Sequence, residues 1–189
     1  MVVDVAACRA VRPRRAALHE HDRSRGRQGG VMEPATRRVA LIGLGLVGEA
    51  LARRLVAARF EVIGWDVAAA RRDALRAHGV AMAASALDAV RGVGHVVLAL
   101  PDTRALVAVL EDILPALERD SIVIDTGTND PDRVVEWAAR LAQRGVSLLD
   151  VPLSGSSEQI GKGEAVAMGG GEKRAWDAAA TLIAAITPN

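Results

Sequence analysis

One stretch of the sequence decides the fold, Val39-Ala40-Leu41-Ile42-Gly43-Leu44-Gly45-Leu46-Val47-Gly48. Its first four residues form an apolar run that predicts a buried strand, and residues 47–58 continue with the apolar spacing of a helix. Gly43 permits a tight turn, Gly45 lets a pyrophosphate approach the backbone, and Gly48 lets the helix pack closely on the strand. The stretch is therefore a G-x-G-x-x-G fingerprint in the strand–turn–helix context that binds a dinucleotide.

The alternation of apolar strands and amphipathic helices continues downstream. We predict further strands over residues 61–65, 80–82, 95–100, 121–124 and 146–149. We predict helices over residues 47–58, 68–78, 86–91, 103–117, 132–144 and 175–186. Short, continuous apolar strands fit a parallel sheet with helices on both faces. Right-handed crossovers make that sheet doubly wound, so we expect a single α/β domain with a Rossmann fold over residues 37–189.

Residues 1–36 lack this periodicity and differ in charge. Through Arg38 the chain has nine arginines and four acidic residues, whereas the remainder has 15 basic and 19 acidic residues. We interpret residues 1–36 as a disordered basic tail or as an over-extended start, with Met32 in place of Met1 as the first residue. A targeting segment or a nucleic-acid arm is the remaining alternative.

Composition excludes several functions. One cysteine excludes an internal disulfide and a multi-cysteine zinc site, and His78 and His95 are too few for a metal site, so we expect no metal. The absence of tyrosine excludes a reductase that uses a Tyr–Lys pair. The mildly acidic body predicts no nucleic-acid partner, and no apolar run is long enough to span a membrane. We therefore expect a cytoplasmic protein.

The second predicted strand ends at Asp66, 23 residues after Gly43. A carboxylate at this point hydrogen-bonds the adenosine ribose and repels a 2′-phosphate, so Asp66 favours NAD over NADP. Arg71 and Arg72 follow about a turn later and offer partial accommodation of a phosphate. The alternative is that Asp66 only caps the next helix.

Polar and turn-forming residues also follow the later strands. Because a ligand of such a sheet lies at the carboxyl ends of its strands, these segments should line one cleft. The predicted cofactor-binding residues are Gly43, Leu44, Gly45, Leu46, Val47, Gly48, Asp66, Leu100, Pro101, Asp102 and Thr128.

Three ordered motifs resemble the β-hydroxyacid dehydrogenase family, which includes 3-hydroxyisobutyrate dehydrogenase and 6-phosphogluconate dehydrogenase. The family's glycine-rich opening is similar to residues 43–55, and its D-x-S-T-x-x-P motif is similar to residues 125–131. Its D-x-P-V-S-G-G motif and the glycines that follow are similar to residues 150–171. The chain departs from these motifs at Gly127, where the family has serine, and at Ser156, where it has glycine.

The resemblance implies the N-terminal NAD(P)-binding domain of an oxidoreductase that transfers a hydride between nicotinamide and a small 3-hydroxy acid. It places Thr128 at the nicotinamide, and it assigns Ser154, Gly155 and Ser156 to the substrate carboxylate.

The family's catalytic lysine lies on a helix that would follow Asn189, in an all-α second domain. The resemblance therefore implies no catalytic residue in this chain, no activity of the chain alone, and homo-oligomers only with that domain. The only lysines, Lys162 and Lys173, are interpreted as exposed charges. A non-catalytic or truncated nucleotide-binding module is the alternative.

Overall fold

The structure, a computed structural model, describes residues 37–188, and the predicted tail lies outside them. The main sheet consists of β1 (Arg38–Ile42), β2 (Glu61–Trp65), β3 (Ala81–Met82), β4 (His95–Leu98), β5 (Ile122–Asp125) and β6 (Ser147–Asp150). A small hairpin consists of β7 (Leu153–Ser154) and β8 (Val166–Ala167). The helices are α1 (Leu46–Ala57), α2 (Ala69–Arg76), α3 (Ala86–Val90), α4 (Thr103–Ile113), α5 (Pro131–Ala142), α6 (Ser157–Lys162) and α7 (Lys173–Ile186).

The six strands of the main sheet are parallel and lie in the order β3-β2-β1-β4-β5-β6. Strand β1 pairs on both sides, so that Ile42 lies opposite Trp65 on β2 and opposite Leu98 on β4. The chain runs outward in one direction from β1 to β3 and in the other from β4 to β6. This reversal opens a crevice at the carboxyl ends of β1 and β4, as the predicted Rossmann fold requires.

Two hydrophobic cores cover the faces of the sheet. Side chains alternate along β1, so Leu41 packs into the core beneath α1 and α7, and Ile42 packs into the core beneath α3, α4 and α5. Both residues are fully buried. The continuous apolar strands of the sequence therefore reflect burial on both faces.

The predicted elements differ from the structure mainly at their ends. The helix predicted to continue to residue 117 ends at Ile113, and a 3₁₀ turn with a proline follows over Leu114–Ala116. Proline cannot donate the backbone hydrogen bond that the helix would need there. The helix predicted over residues 175–186 forms α7, which begins two residues earlier at Lys173; on it Ala175 is buried and Trp176 is half-buried.

Sequence periodicity did not predict the structure between residues 153 and 167. This segment forms β7, α6 and β8, with Leu153 opposite Ala167 in an antiparallel pair. Helix α6 begins with a capping box in which the Ser156 hydroxyl accepts a hydrogen bond from the Gln159 N–H and the Gln159 side chain accepts one from the Ser156 N–H. The elements are too short for apolar periodicity to reveal them, whereas the capping box is readable as Ser-x-x-Gln.

Candidate functional site

The glycine-rich turn joins β1 to α1 through backbone contacts that exclude side chains. Gly43 has a φ of +91°, and a Cβ atom there would overlap the carbonyl group of Ala99, just after β4. A Cβ atom on Gly48 would overlap the carbonyl group of Gly43. The roles predicted for these glycines, a tight turn and close helix packing, therefore correspond to specific contacts of the backbone.

Gly45 lies in a different environment. A Cβ atom there would contact only the Arg71 guanidinium, at 3.5 Å, so the space in front of Gly45 is open. Gly45 is also the N-cap of α1, and no side chain caps the helix. The first-turn N–H groups and the helix dipole thus suit an anion, and the open space above Gly45 fits a pyrophosphate group.

Asp66, which directly follows β2, stabilises this turn through hydrogen bonds to its side chain. Its carboxylate is buried and accepts hydrogen bonds from the Leu44 N–H at 2.7 Å and from the Ala68 N–H at 2.8 Å. The Arg71 guanidinium lies 3.4 Å from the same carboxylate and is 56% exposed. The N-cap of α2 is Ala68, so Asp66 is not the capping residue of this helix. The Asp66 carboxylate thus already accepts hydrogen bonds from the protein backbone, and Arg71 is the exposed charged side chain beside it.

A cavity of about 730 Å³ extends from this corner along the carboxyl ends of the strands. The predicted residues that line it are Gly43, Gly45, Leu46, Val47, Asp66, Leu100, Pro101 and Thr128. The structure thus brings together residues that follow four strands, β1, β2, β4 and β5, and that are far apart in sequence.

The other predicted residues lie outside the cavity wall. Leu44 is buried in the core and Gly48 lies beneath the turn, where it permits helix packing. Asp102 is the N-cap of α4, and its carboxylate accepts a hydrogen bond from the Ala105 N–H at 2.8 Å. The predicted substrate residues Ser154, Gly155 and Ser156 follow Leu153, the residue of this segment that reaches the cavity wall.

Helix α4 contributes a cavity face that the sequence reasoning missed. Ala105, Ala108 and Val109 line the cavity and are spaced three and four residues apart, which places them on one helical face. This spacing was readable from the sequence, but small residues on an amphipathic helix do not by themselves indicate a ligand.

The loop after β5 forms the far end of the cavity through Thr126, Gly127 and Thr128. The Thr126 hydroxyl donates to the carbonyl oxygen of Leu98 at 2.8 Å, which joins the loop to β4. A Cβ atom on Gly127 would lie 2.8 Å from Nδ2 of Asn129. The glycine at this position therefore leaves the space that the Asn129 amide occupies.

Asp125 holds this loop from below. Its carboxylate has no exposed surface and accepts hydrogen bonds from the Gly127 N–H at 3.1 Å and from Nδ2 of Asn129 at 2.8 Å. Burial, and to a smaller extent the charge of Asp150, raises the pKa of Asp125 to about 6, while those two hydrogen bonds act in the opposite direction. Burial also raises the pKa of Asp150.

Neither lysine lies in the cavity wall. Lys162 forms an ion pair with Glu158 at 2.7 Å on α6, and Lys173 forms one with Asp177 at 2.6 Å on α7. Both pairs are exposed and follow the i,i+4 spacing of surface helices.

Two features are absent from the described part of the chain. Residues 37–188 contain no cluster of three or more side chains able to hold a metal ion. No helix within the same range has the length and apolar character needed to cross a membrane.

A family model and several known proteins match this chain. The model described as the NAD binding domain of 6-phosphogluconate dehydrogenase matches residues 38–189. The chain is 30% identical over 156 residues to the NAD-dependent L-serine dehydrogenase of Pseudomonas aeruginosa, which covers 81% of this chain and 52% of that protein. The chain spans about half the length of the curated relatives that it matches.

Solved structures agree with this match. The 3-hydroxyisobutyrate dehydrogenase of Mycobacterium tuberculosis, solved with L-serine, superposes with a TM-score of 0.77 at 28% identity, over 79% of this chain and 52% of that chain. Psf3, solved with NADP⁺ and 2-OPP, superposes with a TM-score of 0.72 at 27% identity, over 79% of this chain and 54% of that chain.

The raised pKa of Asp125 predicts how stability depends on pH. Since its pKa rises from 3.8 to about 6, the native state binds the proton more tightly than the unfolded chain. Protonation of Asp125 therefore adds to the free energy of unfolding. This stabilisation is complete below about pH 4 and should fall by up to about 3 kcal/mol as the pH rises to about 7. Urea unfolding across this pH range measures the slope, and Asp125→Asn should remove most of it.

Asp132→Asn is the matched control, because Asp132 is an exposed carboxylate in the first turn of the neighbouring α5. This variant should keep the wild-type slope. A wild-type slope in Asp125→Asn would show that the buried carboxylate does not titrate as described.

Proposed function

Because the chain belongs to the family of the NAD-binding domain of 6-phosphogluconate dehydrogenase, we propose that it is the cofactor half of an oxidoreductase acting on a small 3-hydroxy acid. The domain binds NAD or NADP, in agreement with the family match and with a relative solved in complex with NADP⁺. The names of two relatives, which refer to L-serine and 3-hydroxyisobutyrate, support the class of substrate.

The observation that carries this proposal is the open space above Gly45 at the uncapped start of α1. The cofactor pyrophosphate would bind there, and the adenosine would extend towards Asp66 and Arg71. The nicotinamide end would then reach the loop that contains Thr128, at the far side of the same cavity. This orientation follows the chain order of a dinucleotide-binding sheet.

The reaction needs two transfers. A bound nicotinamide supplies the acceptor or donor of a hydride. The proton of the substrate hydroxyl needs a base within hydrogen-bond distance. Both lysines are paired on the surfaces of α6 and α7. We therefore propose that the base comes from outside the described residues. We also propose that Ser154, Gly155 and Ser156 contribute to binding of the substrate carboxylate.

The positions of the lysines also favour a second candidate function, a nucleotide-binding module without turnover. Calorimetry with NAD and an assay of NAD⁺ reduction with a panel of small 3-hydroxy acids separate the two. Turnover by this chain supports the dehydrogenase and excludes the second candidate. Because the proposed base lies outside the described residues, cofactor binding without turnover is expected of both candidates, and absence of cofactor binding contradicts both.

Gly45→Ala tests the cofactor site most simply. The added methyl group meets only the flexible Arg71 side chain, so the fold should persist with a melting temperature close to that of the wild type. The methyl group would occupy the space proposed for the pyrophosphate, so NAD affinity should fall at least about tenfold by calorimetry.

Gly161→Ala is the matched control, because a Cβ atom there meets nothing within 4 Å and the residue lies on α6, away from the cavity. It should bind NAD as the wild type does. Unchanged NAD affinity in Gly45→Ala would place the cofactor elsewhere.

Asp66 and Arg71 should determine the choice between NAD and NADP. We expect the wild type to bind NAD more tightly, because the Asp66 carboxylate repels a 2′-phosphate, and Asp66→Ala to narrow the difference. Arg71→Ala should weaken NADP by about three- to tenfold more than NAD, because an exposed guanidinium attracts the additional phosphate. Calorimetry with both cofactors measures these affinities.

Arg76→Ala provides the control, since Arg76 lies on α2 but not in the cavity wall. It should leave the ratio of the two affinities unchanged. Tighter binding of NADP than of NAD by the wild type would overturn the role assigned to Asp66.

A further inference from the structure

Two carboxylates lie side by side beneath the far end of the cavity. Asp125 and Asp150 end β5 and β6 and are partners in the register of the parallel pair, so their side chains leave the same face of the sheet. Asp125 is fully buried and Asp150 is half-buried. Their electrostatic interaction opposes simultaneous ionisation.

No cation neutralises this pair within the part of the chain that the structure describes. None of the ion pairs there includes Asp125 or Asp150. The hydrogen bonds to Asp125 come instead from the Gly127 N–H and the Asn129 amide. These neutral donors hold the carboxylate in place and leave its net charge uncompensated.

The other charged residues around the pair are exposed and of both signs. The start of α5 carries Asp130 at its N-cap, Asp132 and Arg133, and the start of α4 carries Asp102 at its N-cap and Arg104. Strand β4 contributes Leu98, which is apolar, and the segment paired with Asp150 contributes Gly170. The flanking charges are thus exposed to water, whereas Asp125 is fully buried and Asp150 is half-buried, so the charges of this pair are the most shielded from water.

We propose that the Asp125–Asp150 pair gives the cofactor site a preference for the oxidised cofactor, and that uptake of a proton by the pair removes this preference. The inference rests on the proposed function, which places the nicotinamide beside Thr126, Gly127 and Thr128. The oxidised ring carries one positive charge and the reduced ring carries none. A fixed negative charge beneath the ring therefore stabilises only the oxidised form, and more strongly in a poorly hydrated site than in water.

The geometry makes this charge an effective one. Asp125 directly precedes Thr126, Gly127 and Thr128, which line the cavity, and its carboxylate accepts a hydrogen bond from the Gly127 N–H. Burial of the carboxylate limits screening by salt. The raised pKa of Asp125 means that the pair changes charge in the mildly acidic range, where the cofactor's phosphates stay ionised. The adenosine end, at Asp66, lies at the opposite side of the cavity.

Calorimetry of the whole chain with NAD⁺, NADH and ADP-ribose at about pH 5 and about pH 8 tests the proposal. The ratio of the NADH to the NAD⁺ dissociation constant should rise about three- to tenfold from the lower to the higher pH. ADP-ribose lacks the ring and should bind equally at both. A ratio of dissociation constants that is the same at both pH values overturns the proposal. If the affinities for NADH and NAD⁺ rise equally with pH, the change would indicate ordering of the loop instead.

Variants assign the effect to the pair. Asp125→Asn should bind ADP-ribose as the wild type does and show a constant NADH to NAD⁺ ratio, and Asp150→Asn should reduce the change in that ratio. Asp132→Asn, which removes an exposed charge nearby, should retain the wild-type change. Persistence of the full change in both Asp125→Asn and Asp150→Asn contradicts the proposal.

A second measurement does not depend on the folding of any variant. Carboxyl-carbon NMR of the wild type should show that NAD⁺ lowers the pKa of Asp125 by about 0.5–1 unit, because binding and ionisation are linked, and that NADH leaves it unchanged. An equal effect of both cofactors overturns the proposal. If NAD⁺, NADH and ADP-ribose all fail to bind, the proposed function itself is wrong. Failure of the proposed function is thereby distinguished from failure of the inference about the carboxylate pair.

Discussion

The close contact of the backbone at the end of β1 is the constraint on which the site depends. Gly43 lies against the carbonyl group of Ala99, and Gly48 lies against the carbonyl group of Gly43. Because neither residue has room for a side chain, α1 starts directly above the sheet and its first-turn N–H groups lie at the edge of the cavity. The same contact joins β1 to the end of β4, where the strand order reverses, so one packing requirement determines both the crevice and its anion-binding wall.

A common arrangement supports the two ends of the cavity. At one end Asp66, after β2, accepts hydrogen bonds from the backbone of Leu44 and Ala68. At the other end Asp125, the last residue of β5, accepts them from Gly127 and Asn129. In both places a buried carboxylate orders the turn that follows a strand, which offsets part of the free energy lost on its burial. The cavity therefore has a buried carboxylate at each end, of which Asp66 is paired with Arg71, and the uncapped start of α1 lies between them.

Much of this arrangement is readable from the sequence, and the reasons differ from one part to another. The strands were predictable because burial on both faces leaves long apolar runs such as Val39–Ile42, and Gly43 and Gly48 were predictable because their spacing has a steric cause. The hairpin of β7 and β8 escaped prediction because two-residue strands have no period. The bracing role of Asp66 and the burial of Asp125 also escaped, since both depend on backbone groups that only the folded chain brings together.

The most direct test of the account is a titration of the ¹⁵N-labelled chain with NAD, followed by amide NMR. The account predicts saturable shifts at two separate places, the α1 start at Gly45, Leu46 and Val47 and the loop at Gly127 and Thr128, because one ligand spans the cavity between them. The amide of Ala142, on the far part of α5, should not move. Shifts confined to one of the two places, or saturable shifts elsewhere on the sheet with neither place affected, would contradict a dinucleotide bound across this cleft.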